Sequence, residues 1–303
     1  MNDLKIVLMN GGLGNQLCQY AFLRFLEVNT GQKCIVDDSS FWGENVEHNG
    51  LEIEKIFSIK LNKLSEFFSE DVWEEMIRQK GNGISIPQQL QDNGLNLVMI
   101  AESGSHNFNG NIIQIDSNKI TNEILKVFVN AKGNIYYWGY FANMVYVKKM
   151  LKTLRQELRF PFIKDSMEIN TINKRYEELI HLTDSVAVHI RRGDFLKCGR
   201  ALSVEKYAKA IRKFEDRENE YMYFIFSDDI QWCKQNKKEL GLLDIKGDYI
   251  FVEENTDNEN NYIDMQLMSY CKNMIISNSS FGCWAFILNQ SCKYENMIIV
   301  DNL

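Results

Sequence analysis

Hydrophobic and polar positions divide the chain into an opening unit, an irregular middle and a regular second half. Residues 5–9 read as an apolar strand, and Asn10-Gly11-Gly12-Leu13-Gly14-Asn15 as a glycine-rich turn. Across residues 16–28 apolar side chains (Leu17, Ala21, Phe22, Phe25, Leu26) fall on nearly every side of a helix, the pattern of a buried one. Asn29-Thr30-Gly31 supplies a glycine stop signal, and residues 33–36 form the next strand, so the chain opens as a βαβ unit. Residues 37–134 carry a poorer pattern, rich in Gly, Asn and Ser, with turns at Gly81-Asn82-Gly83 and at 107–111. Helices are predicted near 64–78 and 145–158. Arg159-Phe160-Pro161 holds one of only two prolines and marks a boundary, because proline disfavours helix on its N-terminal side. Two domains follow, 1–160 and 161–303.

The second half alternates regularly. A strand at 185–190 precedes a helix capped by Ser203, with Tyr207, Ala210, Ile211 and Phe214 on one face. Strand 221–226, helix 230–240 stopped by Gly241, strand 248–252, helix 262–271, strand 274–277, helix 281–288 and strand 297–300 complete the series. Strands alternating with helices of this size predict an α/β fold with a doubly wound parallel sheet. There is no internal repeat and no low-complexity tract.

Composition narrows the function classes. At 303 residues, 45% hydrophobic and 25% charged, the chain is of ordinary globular make-up and longer than one core usually fills. A net charge of −7 argues against nucleic acid as partner, which calls for a basic face. Seven cysteines without CxxC spacing read as reduced thiols, and no His/Cys set has zinc spacing. The opening Met-Asn-Asp-Leu-Lys lacks the apolar core of a signal peptide, and no apolar run is long enough for a membrane span. The expected location is the cytoplasm.

The candidate chemistry lies at strand ends. His189-Ile190-Arg191-Arg192-Gly193-Asp194-Phe195 places an imidazole and two guanidiniums at the carboxyl end of strand 185–190, the edge where open α/β sheets bind ligands. The arginine fork matches phosphate oxygens in pairs, which suggests a phosphorylated ligand such as a nucleotide; ion pairs with nearby carboxylates are the structural alternative. Ser227-Asp228-Asp229, Glu253-Glu254-Asn255 and Ser277-Asn278-Ser279-Ser280 end three further strands. The last precedes a helix, whose N-terminus favours phosphate, although serines there also serve as plain N-caps. The turn at 11–14 fails the dinucleotide pattern, because Leu17 stands where the third glycine is required, and it lacks the Lys-Ser/Thr of a Walker loop. It is either a place of close backbone approach to a ligand or a tight turn needing positive φ.

These residues resemble a known family. Gly11-Gly12-Leu13-Gly14-Asn15-Gln16-Leu17 with Gln19-Tyr20-Ala21 is similar to the N-terminal signature of bacterial α-1,2-fucosyltransferases, glycosyltransferase family eleven. His189-Ile190-Arg191-Arg192-Gly193-Asp194 resembles the His-x-Arg-Arg-Gly/Thr-Asp motif shared by α-1,2-, α-1,6- and protein O-fucosyltransferases. Phe226-Ser227-Asp228-Asp229, and Ile276-Ser277-Asn278-Ser279-Ser280-Phe281 with Trp284, resemble two further motifs of that family. Cys18 departs from the apolar residue many relatives carry, at a position of no catalytic weight.

The resemblance implies a GT-B architecture of two Rossmann-like halves facing a cleft, with acceptor bound mainly by the first and GDP-fucose by the second. It implies inverting, metal-independent transfer from GDP-β-L-fucose to the 2-hydroxyl of a terminal β-galactoside, with no cofactor. Arg191 is then the β-phosphate ligand, His189 contacts the nucleotide, and Asp194 completes the catalytic set or orients the loop by an ion pair with Arg192. Arg192, Ser227, Asp228, Asp229, Glu253, Asn278, Ser279, Ser280 and Phe281 form the donor-binding set, and Gly12, Gly14, Asn15 and Gln16 an active-site loop. A lipid-linked acceptor would draw the protein to the inner face of the membrane. The general base stays open, with Asp194 and, in the first domain, Asp37 or Asp38 as candidates.

Three other readings compete. A metal-dependent GT-A transferase needs Asp-x-Asp at a strand end; the nearest match, Asp257-Asn258-Glu259, reads as a solvated loop. The others are a non-catalytic nucleotide- or carbohydrate-binding protein and a fucosyltransferase of another linkage such as α-1,6.

Overall fold

The computed structural model describes residues 3–302 except 45, 47, 103, 105, 164–167, 216–218 and 256–259. Asp257-Asn258-Glu259 lies outside the described residues. The chain divides into two compact units, Met1–Arg159 and Phe160–Leu303.

The first unit runs β1 (Lys5–Leu8), α1 (Leu13–Thr30), β2 (Ile35–Asp37), α2 (Glu52–Phe57), α3 (Glu70–Gly81), α4 (Ile86–Asp92), β3 (Leu97–Glu102), β4 (Asn111–Ile115), α5 (Asn122–Asn130), β5 (Asn134–Trp138) and α6 (Met144–Glu157). Its sheet has the order β2-β1-β5-β3-β4, all parallel. β1 is buried throughout because helices cover both faces of such a sheet. One face is filled by an aromatic cluster in which Phe22 of α1 stacks on Phe141 and meets Phe128, Tyr137 and Tyr146 edge-on. α1 begins at Leu13, three residues before the predicted start, since Gly12 is already its N-cap; Gly31, in the left-handed region, ends it as expected.

The middle of this unit is more ordered than its composition suggested. The helix predicted at 64–78 is a 3₁₀ turn, Leu64–Phe67, followed by α3. Strands β3 and β4 and helices α2, α4 and α5 lie where the sequence read as irregular; β4 is an exposed edge strand and lacks a buried face to pattern it.

The second unit runs α7 (Glu168–Leu182), β6 (Ser185–Ile190), α8 (Gly193–Lys197), α9 (Val204–Glu215), β7 (Met222–Ser227), α10 (Ile230–Gln235), β8 (Asp248–Phe251), α11 (Asn261–Tyr270), β9 (Asn273–Ile276), α12 (Ser280–Leu288) and β10 (Met297–Ile299). The order β10-β9-β6-β7-β8 is again all parallel, which is the doubly wound sheet expected. From β6 the chain winds outward through β7 and β8, then returns to build β9 and β10 on the other side. The strand order therefore reverses between β6 and β9, whose carboxyl ends border the crevice where open α/β sheets bind ligands. α10 stops at Gln235 rather than 240, where the Asn236 side chain bonds the Trp232 carbonyl at 2.9 Å and competes with the helix.

Candidate active site

His189 and Ser277 meet across that switch point. His189 is the fifth residue of β6 and is almost fully buried; Ser277 follows β9, and its Oγ lies 2.9 Å from His189 Nδ1. Phe281 lies over the imidazole, with ring centroids 5.7 Å apart. Gly282 closes the other approach: a Cβ there would sit 2.7 Å from His189 Nδ1, so the first turn of α12 can come this near only with glycine. Burial, and then the neighbouring Arg191 charge, push the His189 pKa down to about 3, so the imidazole is neutral.

The arginines stand just past β6. Arg191 pairs with Asp194 Oδ1 at 2.7 Å and Asp228 Oδ2 at 3.1 Å, while its Nε is buried without a protein partner. The Arg192 guanidinium carbon lies over the Trp232 ring, 3.6 Å from its centroid, and the Arg192 Nε reaches Asp229 Oδ2 at 3.2 Å. Its backbone N–H donates to Asp228 Oδ1 at 2.8 Å. The ion-pair reading of the arginines is thus realised, but Asp194 pairs with Arg191 and not, as expected, with Arg192. Gly193 lets the turn close, since a Cβ there would lie 2.5 Å from Asp228 Oδ2.

The other candidates are placed as follows. Ser227 Oγ accepts the Asp229 N–H at 3.0 Å, and Asp229 Oδ1 caps α10 through Trp232 N at 3.2 Å. Ser227, Asp228 and Asp229 therefore support the arginine loop. Ser279 is the N-cap of α12, accepting the Phe281 N–H at 3.3 Å; Ser280 opens that helix. Asn278 donates to the Arg200 carbonyl at 3.3 Å, and its buried Oδ1 has no partner. Glu253 is set apart beyond the edge strand β8, about 10 Å or two strand spacings from β6, in an ion pair with Lys234. Sequence reasoning missed Trp232, Tyr207 and Gly282. Only Gly282 left a signal, as a glycine inside a predicted helix with no turn to explain it.

In the first unit, Gly11 has φ +74° and would clash with the Asn15 amide if it carried a Cβ (2.7 Å), which settles in favour of a conformational need for glycine. Gly12 and Asn15 are partly exposed, whereas Gly14 is buried in the first turn of α1. Gln16, fully buried, donates to the Gly11 and Gly50 carbonyls at 2.9 and 2.8 Å and accepts from Glu52 N and Ile53 N. It clamps the turn rather than facing a ligand. Asp37 is buried against the Tyr136 hydroxyl and the Ser39 N–H, and burial raises its pKa. Asp38 accepts from Trp42 Nε1 and from Ser65 Oγ and N. Both carboxylates have structural work of their own. Among the described residues no group of three or more His, Cys, Asp or Glu could hold a metal, and no helix is long and apolar enough to cross a membrane.

The glycine-rich turn, the strand-end arginine loop and the glycine-tight helix N-terminus, in that order along the chain, lie within residues 4–299, which match the model of glycosyl transferase family 11. The chain belongs to that family. Among family relatives, the α-1,2-colitosyltransferase of Escherichia coli is 36% identical over 165 residues, 52% of this chain and 53% of its own length. The O-antigen biosynthesis glycosyltransferase WbnK of Escherichia coli is 26% identical over 310 residues, covering 97% and 92%. The galactoside α-(1,2)-fucosyltransferase 1 of Leontocebus fuscicollis is 28% identical over 109 residues, 34% of this chain and 28% of its own. The match thus spans about half of the colitosyltransferase and less of the primate enzyme. The fold is that of NodZ, an α-1,6-fucosyltransferase from Bradyrhizobium crystallised with GDP (TM-score 0.53, 16% identity, 95% and 93% covered). Arabidopsis thaliana FUT1, as a mutant in complex with GDP, aligns with TM-score 0.57 at 12% identity over 99% and 70%. This family 11 chain is therefore an α/β protein of the GT-B-like fucosyltransferase fold, with one parallel five-stranded sheet in each unit.

Proposed function

We propose that the chain transfers L-fucose, with inversion and without a metal, from GDP-β-L-fucose to the 2-hydroxyl of a terminal β-galactoside. The observation that carries this reading is the meeting of His189 with Ser277 across the β6/β9 switch point, with Arg191 on one side and the N-terminus of α12 on the other. As the glycosidic bond breaks, negative charge grows on the β-phosphate and the fucosyl carbon becomes cationic. Fixed donors aimed at that charge stabilise the transition state more than the ground state. Arg191, pinned by Asp194 and Asp228 with Nε still unpaired, supplies the guanidinium; α12 supplies backbone N–H groups and a positive dipole end. His189, being neutral, contributes a hydrogen bond without a second charge. These donors take the part a divalent cation plays elsewhere, so no cofactor is called for.

The second unit accordingly holds GDP and the first shapes the acceptor pocket. With Asp194 engaged by Arg191, and Asp37 and Asp38 by their own neighbours, a loose, cationic transition state lowers the demand for a strong base. The protein acts in the cytoplasm, at the inner membrane face if its acceptor is lipid-linked. One second reading has a specific observation behind it: the 36% identical relative is named for colitose, the 3-deoxy counterpart of L-fucose, so donor choice is between two closely similar sugars. The test is GDP release from GDP-fucose and from GDP-colitose across a set of β-galactosides, in EDTA. Release from GDP-fucose with galactosides only is expected. GDP binding without release refutes transfer, preference for GDP-colitose reassigns the donor, and activity that returns only with Mn²⁺ or Mg²⁺ refutes metal independence.

A further inference from the structure

The neutral His189 ring carries one N–H, and its position decides whether the imidazole offers an anion a donor or a lone pair. Its Nδ1 faces Ser277 Oγ at 2.9 Å, and a serine hydroxyl can serve in either direction. Tyr207 of α9 breaks the tie. Its hydroxyl is buried beside both Ser277 and the Arg191 backbone N–H, with no hydrogen bond of regular geometry to either. A buried hydroxyl left unpaired costs free energy, which favours its closing on these two neighbours. A backbone N–H can only donate. It directs Arg191 N–H to Tyr207 Oη and Tyr207 O–H to Ser277 Oγ; Ser277 is fully buried, its own proton also needs an acceptor, and His189 Nδ1 at 2.9 Å is the one its Oγ meets, so Ser277 O–H donates to Nδ1. The imidazole proton is left on Nε2. The Phe281 ring over the imidazole and the wall at Gly282 resist a ring flip that would put Cδ2 in place of Nδ1 and Cε1 in place of Nε2.

We propose that Ser277, backed by Tyr207, is a positioning residue that holds His189 in the Nε2–H tautomer, so that the imidazole presents an N–H donor to an oxyanion ligand. Only the identity of that oxyanion, the donor diphosphate, rests on the fucosyl-transfer reading. In the opposite tautomer a lone pair would face the anion and repel it.

The chain has four histidines, so nitrogen-15 histidine labelling gives a readable spectrum, with His189 assigned by its loss in His189→Gln. The wild type should show a protonated Nε2 and a bare Nδ1. Ser277→Ala should release His189 into a tautomer mixture and lower kcat roughly 10- to 100-fold, the range for removing a partner that orients an imidazole, with much less change in GDP-fucose KM. Ser277→Thr, which keeps the hydroxyl, should restore the single tautomer and most of kcat. A proton on Nδ1 in the wild type, or a tautomer unmoved by Ser277→Ala, overturns the proposal; the wild-type spectrum decides even if the alanine variant does not fold. Because that spectrum needs no turnover, an Nε2–H imidazole in a protein inert toward GDP-fucose would refute the substrate reading and leave this one standing.

Discussion

Arg191 is held by two carboxylates and still keeps a buried Nε without a protein partner. A guanidinium fixed in this way is oriented before any ligand arrives, which is the condition for electrostatic preorganisation. Arg191→Ala should therefore cost about 2.7–4 kcal/mol of transition-state stabilisation, roughly 100- to 1000-fold in kcat, with the fold intact. Arg191→Lys should recover little, since one ammonium cannot reproduce the planar, paired fork that reaches two carboxylates and an oxyanion from fixed directions. Near-normal turnover of the lysine variant in a steady-state assay would remove Arg191 from the proposed role. His189 gives a pH signature. Its folded pKa is about 3 and the ordinary value is 6.5, so between those limits the unfolded chain binds the extra proton and stability falls as pH falls. Melting curves of wild type and His189→Gln from pH 7 to 4 should converge or cross on acidification; a constant gap would mean the imidazole is not buried neutral. At this scale the sequence marked the run His189 to Asp194 and the carboxylates Asp228 and Asp229, but not which pairs with which, nor Trp232. Asp228 and Trp232 reach it from 36 and more residues away, and spacing along the chain carries no record of pairing across strands.

Most elements of the second unit were legible because short apolar strands alternate there with helices that bury one clear face, as Tyr207, Ala210, Ile211 and Phe214 do on α9; α7 was not predicted. The first unit hid its strands in two ways. β3 is an apolar run buried on both faces, which periodicity alone cannot distinguish from a buried helix. β4 exposes Ile112 and Ile113 at the sheet edge and reads as loop. The helix with the sharpest test is α12. Helix propensity favours alanine over glycine by up to about 1 kcal/mol, yet a Cβ at Gly282 would press on His189 Nδ1 at 2.7 Å. Overpacking should win: Gly282→Ala is expected to destabilise by about 1–3 kcal/mol in denaturant unfolding and to lower turnover by displacing the imidazole. A more stable variant with normal turnover would show that α12 does not press on the site.

At the scale of the whole molecule, the proposed function has Phe160–Leu303 bind the nucleotide and Met1–Arg159 the acceptor. Calorimetric GDP titrations should find affinity reduced by substitutions at His189 or Ser279 and nearly unchanged by exposed substitutions in residues 37–134. The latter should instead reorder acceptors in kcat/KM. Loss of GDP binding confined to the first-unit variants would reverse the assignment. The second unit's parallel sheet was legible from alternation and the two-halved class from motif order and family resemblance; acceptor identity was not, because an irregular, Asn- and Gly-rich segment encodes the first unit's surface. The most direct measurement is the structure of the product. Purified, metal-stripped protein given GDP-β-L-fucose and a β-galactoside in EDTA should yield a single fucoside, and NMR of that product should show an α-linkage to the galactose 2-hydroxyl, inverted from the donor. A β-linkage, another linked hydroxyl, or no fucoside across a broad galactoside set would contradict the account.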